Sequence, residues 1–516
     1  MALLFVHPRV VVSKPVHSLG SRSLTAVFWG AGGAVLRLML QVGTQIALAR
    51  MLGPSEYGIF AIGATVIGFS AFFSDIGLAY GLIQKPTVDD RDIRFVFTWQ
   101  ILLGAVISTA VYFASGVIAA FFGDARAAPV IQVLSALCLL NALAAPSLNL
   151  LKRRLDFKTI QLVQLASYVT GYLLVGIPLA LYGAQVWALV AAWMVQALVS
   201  GLLLYRATRH ALKPLLWYAQ ARQQSGYGGT VLVTNIINWA IGNIDRVIVA
   251  RAFGTREIGL YATAYNLFYN PTATLLGVVQ PVFFSASSRI ANDGQRILGA
   301  YRSLVAALAL LVLPVFAAVA AVPHTFIATL YGDKWVDAAA LCRPLALVMP
   351  MFLLFGLTTP LLWTSGRAAK EFQIQAPIAL LWAAACAWAA TLSLVHVAWM
   401  VLALYSLRCA VVVGVATRAI GLTLSAFWQS ARGGVLLSAL MTACLLVADA
   451  QLQGLPAWQR LLVDVALGVA VWMAALRLVP RLVAPELAIL FERVLTHLPR
   501  PAAQLLGFLA RRETPP

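Results

Sequence analysis

Five ionisable side chains fall inside stretches that are otherwise apolar, and they are the residues best placed to do chemistry. Arg37 stands in AVLRLMLQV, Arg408 in YSLRCAVVV and Asp75 in FFSDIGLAY, while Asp245 and Arg246 adjoin in NIDRVIV. A charge near the centre of a bilayer costs about 2.5–3.5 kcal/mol on insertion scales, so each of these needs a partner or a watery cavity. The three arginines favour an anionic ligand. A guanidinium stays charged and forks two hydrogen bonds onto phosphate-like oxygens. A positive cavity is a poor place for a drug cation. It suits a lipid head group bearing a pyrophosphate, with room for sugars above it.

Other readings stand beside this one. Arg37 could instead form a buried structural pair with Asp75, and Arg408 could line a cavity or make a helix contact. Asp245 and Arg246 point about 100° apart on a helix and need not pair. Asp245 could hold a proton for ion coupling, as could Asp75, or it could be a fixed salt-bridge partner. Gln41, Gln45, Asn235, Asn238, Trp239, Asn243, Tyr265, Asn266 and Asn270 lie on the same helices. They could meet sugar hydroxyls, or tie one helix to another. Arg343 and Asp464 stand near the starts of their helices and read as interfacial.

The elements that must position these groups are membrane helices. The chain has 516 residues, 61% hydrophobic and 11% charged, against roughly 25% charged in soluble domains. Apolar runs of about 20 residues, each long enough to cross a bilayer, recur along almost the whole length. A β-barrel would show alternating segments of about 10 residues instead. The expectation is an all-α polytopic protein with about 14 transmembrane helices, the first over 24–49, the seventh over 229–251 and the eighth over 257–288. Pro271, Pro281 and Pro314 could kink the eighth and ninth.

The net charge of +19 reads as orientation rather than nucleic-acid binding, because Lys and Arg sit in short loops. With the amino terminus inside, the inner loops hold most of them, among them Lys85, Arg94, Arg153, Arg154, Arg209 and Lys213, while few lie outside. Both termini are therefore expected in the cytoplasm. Five cysteines, Cys138, Cys342, Cys386, Cys409 and Cys444, lie in apolar runs without metal-ligand spacing and read as core residues. No phosphate-binding GxxxxGK[ST] run occurs, and no cofactor, metal or catalytic residue is expected. No cleavable signal peptide is convincing in MALLFVHPRVVVS, which Pro8 and Arg9 interrupt.

A doubled phrase organises the chain. ARMLGPSEYGIFA from Ala49 returns without a gap as ARAFGTREIGLYA from Ala250, with Arg50/Arg251, Gly53/Gly254, Glu56/Glu257 and Gly58/Gly259 identical. A weaker echo pairs FFGDAR from Phe121 with LYGDKW from Leu330. The copies are six helices apart, so they share one orientation in the membrane. That implies two parallel six-helix lobes around a central cavity, related by a pseudo-two-fold along the membrane normal. The phrase itself reads as a hairpin turn. Arg50 and Arg251 oppose helix dipoles, Gly53 and Gly254 end helices in a left-handed conformation, and Ser55 and Thr255 cap the next ones.

The expected organisation is a cytoplasmic tail over 1–22, an N-lobe over 23–206, a linker over 207–228, a C-lobe over 229–420, helices thirteen and fourteen within 430–480, and a basic tail over 481–516. That last tail could lie on the inner surface as an amphipathic helix or be disordered. In this plan Arg37 and Arg246 occupy equivalent helices and could face each other across the cleft.

These motifs, with FSDIGLAYGLIQK, RRLDFK (Arg153–Lys158), GAQVWALV (Gly183–Val190) and NIDRVIVARAFGTREIGLYATAYNL, resemble the polysaccharide transporters of the multidrug/oligosaccharidyl-lipid/polysaccharide exporter superfamily. The resemblance covers about residues 24–450. It implies a flippase moving undecaprenyl-pyrophosphate-linked oligosaccharide repeat units across the bacterial inner membrane for exopolysaccharide, O-antigen or capsule synthesis, by alternating access. Arg37 lies on the same helix as a cavity arginine of the related lipid II flippases. A polysaccharide polymerase and a chain-length regulator are implied as partners, alongside the lipid-linked oligosaccharide and membrane lipids. An ion-coupled multidrug antiporter on the same plan would favour acidic cavity residues. A membrane polymerase would carry a sizeable outer loop, whereas the outer loops here are only a few residues each.

Overall fold

A computed structural model of the chain describes residues 19–74, 82, 85, 87–218, 228–289, 293–364, 368–479, 482–485 and 487–488. The described residues form fourteen long helical segments in chain order. They are α1 (Leu19–Met51), α2 (Pro54–Ser74), α3 (Asp90–Phe122), α4 (Ala127–Arg153), α5 (Phe157–Leu181), α6 (Val186–Thr208) and α7 (Gly228–Phe253). There follow α8 (Thr255–Arg289), α9 (Gly294–Ala321, with a short extension Pro323–Leu330), α10 (Ala339–Thr364), α11 (Ala368–Ala390), α12 (Leu394–Ala419), α13 (Leu424–Gln451) and α14 (Ala457–Leu478). Twelve of them are long and apolar enough to cross a membrane. The two below that threshold, α7 and α8, carry the polar residues of the site described below.

Local sequence explains where the helices begin and end. Asp89 caps α3 reciprocally: its Oδ1 accepts from the Asp92 N–H at 2.8 Å, and its own N–H donates to Asp92 Oδ2 at 3.1 Å. Gly123 ends α3 at φ 76°. Pro314 does not break α9; a π-helical turn over Leu308–Val312 precedes it and absorbs the mismatch. Pro271 and Pro281 lie within a continuous α8. Gly254 is left-handed at φ 95°, as expected, but Gly53 is not among the glycines with positive φ. Pro54 opens α2 and places Ser55 inside its first turn, because proline's missing N–H costs nothing at that position.

Helices α1–α6 pack together, as do α7–α12, and α13 and α14 lie against α9. The two halves meet mainly along α2 and α8, which are equivalent helices of the repeat. A Cβ on Gly58 would lie 1.6 Å from the Thr255 carbonyl oxygen, and one on Gly259 would lie 1.8 Å from that of Pro54. Only glycine permits this approach. The duplicated turns also reach across in mirror fashion. Arg50 Nε donates to the Leu330 carbonyl at 2.8 Å, and the Arg251 guanidinium sits 5.7 Å from the centre of the Phe121 ring. Leu330 and Phe121 are themselves the paired positions of the weaker echo. The doubled phrase is therefore the contact that closes one end of the molecule.

At the opposite end the arginines do structural work as well. Arg94 donates to the carbonyls of Lys213 at 2.9 Å and Pro214 at 3.2 Å, and the Leu215 N–H donates to Thr98 at 2.8 Å. These bonds strap the segment after α6 onto the start of α3. Lys85 and Asp92 form an ion pair at 2.5 Å beside Tyr218. Cys138, Cys342, Cys386 and Cys409 are buried, and all five cysteines are free.

Candidate functional site

Two cavities flank α8. The first, about 390 Å³, brings together Arg246, Asn243, Asn238 and Trp239 of α7, Tyr265 and Tyr269 of α8, Phe352 and Phe355 of α10, and Tyr405 and Arg408 of α12. Phe72 of α2 contributes from the other half. No acidic residue lines it among the described residues.

Each arginine is positioned by a ring face and an amide. The Arg246 guanidinium lies 4.3 Å from the centre of Tyr265, and its Nη1 donates to Asn243 Oδ1 at 3.3 Å. The Arg408 guanidinium lies 3.8 Å from the centre of Phe355, and its Nη2 donates to Gln375 Oε1 at 2.5 Å. Gln375 is held in turn by Asn238, at 3.4 Å. Stacking of this kind contributes about 0.5–2 kcal/mol and fixes the guanidinium plane, but leaves the charge in place. Arg246 Nε is buried and has no hydrogen-bond partner among the described residues.

Asp245 points away from this cavity, as its position next to Arg246 requires. It is 2% exposed, and the Tyr261 hydroxyl donates to its Oδ2 at 2.6 Å. Its Oδ1 has no partner among the described residues. No ion pair joins it to Arg246 within 4.0 Å among the salt bridges of the described residues.

The second cavity, about 210 Å³, has no charged lining residue among the described residues and mixes polar groups with apolar ones such as Leu48, Phe60 and Leu189. Gln41 and Gln45 of α1, Tyr57 of α2, Tyr168 and Tyr172 of α5, and Thr263, Asn266 and Asn270 of α8 line it. Helix α8 thus turns Tyr265 and Tyr269 to one cavity and Asn266 and Asn270 to the other, each pair one helical turn apart. Gln45 bridges the halves, donating to the Tyr331 hydroxyl at 3.0 Å.

The expected residues therefore divide. Arg246, Arg408 and Asn243 share one cavity, and Gln41 faces the other. Arg37 is not among the residues lining the Arg246 cavity; its Nη1 hydrogen-bonds Gln164 of α5, one turn along α1 from Gln41. Asp75, and with it the Arg37–Asp75 alternative, lies outside the described residues. The repeat register accounts for the separation. Aligning Ala49 with Ala250 sets Arg246 against Gln45, and Arg37 against Asn238. The uninterrupted alignment holds this information, but equivalence of helices is not equivalence of positions.

Asp464 is 3% exposed and faces an apolar groove between α9, α13 and α14, while Arg460 pairs with Asp449 at 3.3 Å. Sequence reasoning missed Gln375 and Phe355, which hold Arg408, and the stacked Tyr168 and Tyr172, whose ring centres are 4.7 Å apart. Only the spacing of four residues hints at the tyrosine pair.

Comparison with known proteins agrees with this architecture. A family described as polysaccharide biosynthesis protein matches residues 47–340, more than half of the chain. The chain is 23% identical over 324 residues to the lipopolysaccharide biosynthesis protein WzxC of Escherichia coli, covering 62% of this chain and 65% of that protein. It is 22% identical over 427 residues to the teichuronic acid biosynthesis protein TuaB of Bacillus subtilis, covering 82% and 88%. Among solved structures, the lipid II flippase MurJ in an inward closed conformation superposes with a TM-score of 0.67 at 11% identity, covering 92% of this chain and 99% of that one. An inward-facing multidrug resistance transporter of the MATE family superposes at 0.59 and 14% identity, covering 76% and 98%. These structures share the two-lobed helical fold, and the chain belongs to the polysaccharide biosynthesis protein family of multi-pass membrane proteins.

Proposed function

We propose that this protein is a flippase for a lipid-linked oligosaccharide whose head group carries a diphosphate, the undecaprenyl-pyrophosphate-linked repeat unit of a surface polysaccharide. It works in the bacterial inner membrane with both termini in the cytoplasm, and delivers the unit to a polymerase and chain-length regulator on the far side. The observation that carries this reading is the pairing of Arg246 and Arg408 in one cavity that no acidic residue lines among the described residues. Two guanidinium planes held by ring faces match the tetrahedral oxygens of a diphosphate, which offers acceptors to both forks. Arg37 supplies a further cationic group on the wall of the N-terminal half, beside Gln41. Asp245, buried with one oxygen that has no partner among the described residues, is suited to take a proton or cation as the halves move. Asp75 has the same proposed role.

The MATE-like fold also fits a multidrug antiporter, but the sign of the cavity argues against a cationic cargo. The test is export of surface polysaccharide in cells whose only copy is Arg246→Ala or Arg408→Ala. Export is expected to fall at least tenfold with normal membrane abundance, while cationic dye efflux is unaffected. Normal export by either variant, or dye efflux that depends on the protein, would overturn the assignment.

A further inference from the structure

We infer that the uncharged cavity between α1, α2, α5 and α8 is a separate chamber for the neutral saccharide of the cargo; this rests on the arginine cavity holding the diphosphate. Its chemistry singles out the ligand. The side-chain amides of Gln41, Asn266 and Asn270 face it and make no hydrogen bond to another described residue. An amide offers donors and an acceptor from one planar group, and a sugar hydroxyl both donates and accepts. A carboxylate only accepts and an ammonium only donates, and neither lines this cavity among the described residues. No cation lines it among the described residues, and Arg37, one turn of α1 from Gln41, is turned to Gln164. A polyprenyl tail would leave the amides without partners, a cost of about 1–3 kcal/mol for each buried group.

Two further observations point to a ligand. Thr263 is 2% exposed, lines the chamber, and its hydroxyl has no partner among the described residues. Tyr168 and Tyr172 stack at 4.7 Å with their planes within 14° of parallel, which presents a broad ring surface beside the amides. Tyr172 lies in a π-helical stretch, Val169–Gly176, an insertion frequent at functional sites because it re-aims side chains at some cost in stability. A hexose has this dual character, with hydroxyls at its rim and C–H groups on its faces. The volume of about 210 Å³ is several times the ~30 Å³ share of one water. Because α8 carries the asparagines on one face and the arginine-cavity tyrosines on the next, one cargo can be read by both, charge on one side and hydroxyls on the other.

The experiment compares two probes on the full-length protein in nanodiscs by native mass spectrometry or calorimetry. One is farnesyl diphosphate, which has no sugar. The other is the lipid-linked saccharide that accumulates in cells lacking this protein. The wild type is expected to bind the saccharide-bearing lipid at least tenfold tighter. Asn266→Leu should erase that preference and leave farnesyl diphosphate binding within twofold, and Asn270→Leu serves if the first variant does not insert. A variant that keeps the full preference overturns the chamber, which then holds only water. So does a variant that loses both probes equally. If the wild type binds neither probe, the diphosphate reading fails and the chamber fails with it; if it binds both equally, only the chamber fails.

Discussion

At the same register of the repeat, the N-terminal half carries Gln45 and the C-terminal half carries Arg246. Both face cavities against α8, yet one cavity is neutral and the other positive. The backbone symmetry is kept where the halves touch. Gly58 meets Gly259, and Arg50 and Arg251 reach across to paired positions. It is broken where they face open space. Duplication supplied the contact and the shape, and a few differences on α1 and α7 give each half its own chemistry.

The largest effect is expected from erasing the difference. Arg246→Gln makes the two positions alike and removes a charged fork, worth about 2–5 kcal/mol when its partner is buried. Export should fall thirtyfold or more, measured as polymer at the cell surface. Adding the charge back at the other position, as Gln45→Arg in the same background, should not rescue, because the chamber lies on the neighbouring face of α8, about 100° round from Tyr265 and Tyr269.

Next comes the shared contact. Gly58→Leu and Gly259→Leu each push a side chain into a backbone carbonyl, an overpacking cost of about 1–3 kcal/mol or more. The two should be nearly equal, since the contact is symmetric. Cysteine cross-linking between the α1–α2 and α7–α8 turns should drop about tenfold in both; a large inequality would contradict the reciprocal packing. Gln45→Leu removes the bond to Tyr331 that joins the halves. It should cost about 0.5–1.5 kcal/mol in thermal stability, with no loss of lipid diphosphate binding.

The smallest effect lies at the α3–α4 turn. Hydrogen bonds from Arg126, whose guanidinium also bonds Thr255 at 3.4 Å, hold the Asp124 carboxyl below its ordinary value. A depressed carboxylate contributes stability above the ordinary range near ~3.9 and loses it as pH falls through its own lower value. Asp124→Asn should therefore flatten the acid limb of a thermal-stability profile by less than about 1 kcal/mol, with little change at neutral pH.

Much of this was legible in the sequence. Hydropathy runs gave the helices, and the ungapped phrase gave the two halves, because long apolar stretches and identical turns need no knowledge of neighbours. Arg246 and Arg408 stood out through the cost of charge among apolar residues, and the structure places both in one cavity with Asn243. The place of Arg37 did not. Which way a side chain points depends on the rotation of α1 against α5, and Gln164 is unremarkable until those helices are side by side. Phe355 and Gln375 were hidden for the same reason: each is an ordinary residue in a long helix until Arg408 is packed on it. Helices α7 and α8 are not among the described helices apolar enough to cross a membrane, and α8 carries the polar residues that line both cavities.

The most direct measurement is translocation of the lipid-linked saccharide in proteoliposomes, followed by access of an added glycosidase to the labelled sugar. With wild-type protein the label on the far leaflet should become accessible, and with the Arg246→Gln/Arg408→Gln double variant the rate should fall to that of protein-free vesicles. Translocation by the double variant at the wild-type rate would contradict the claim that these two arginines carry the diphosphate.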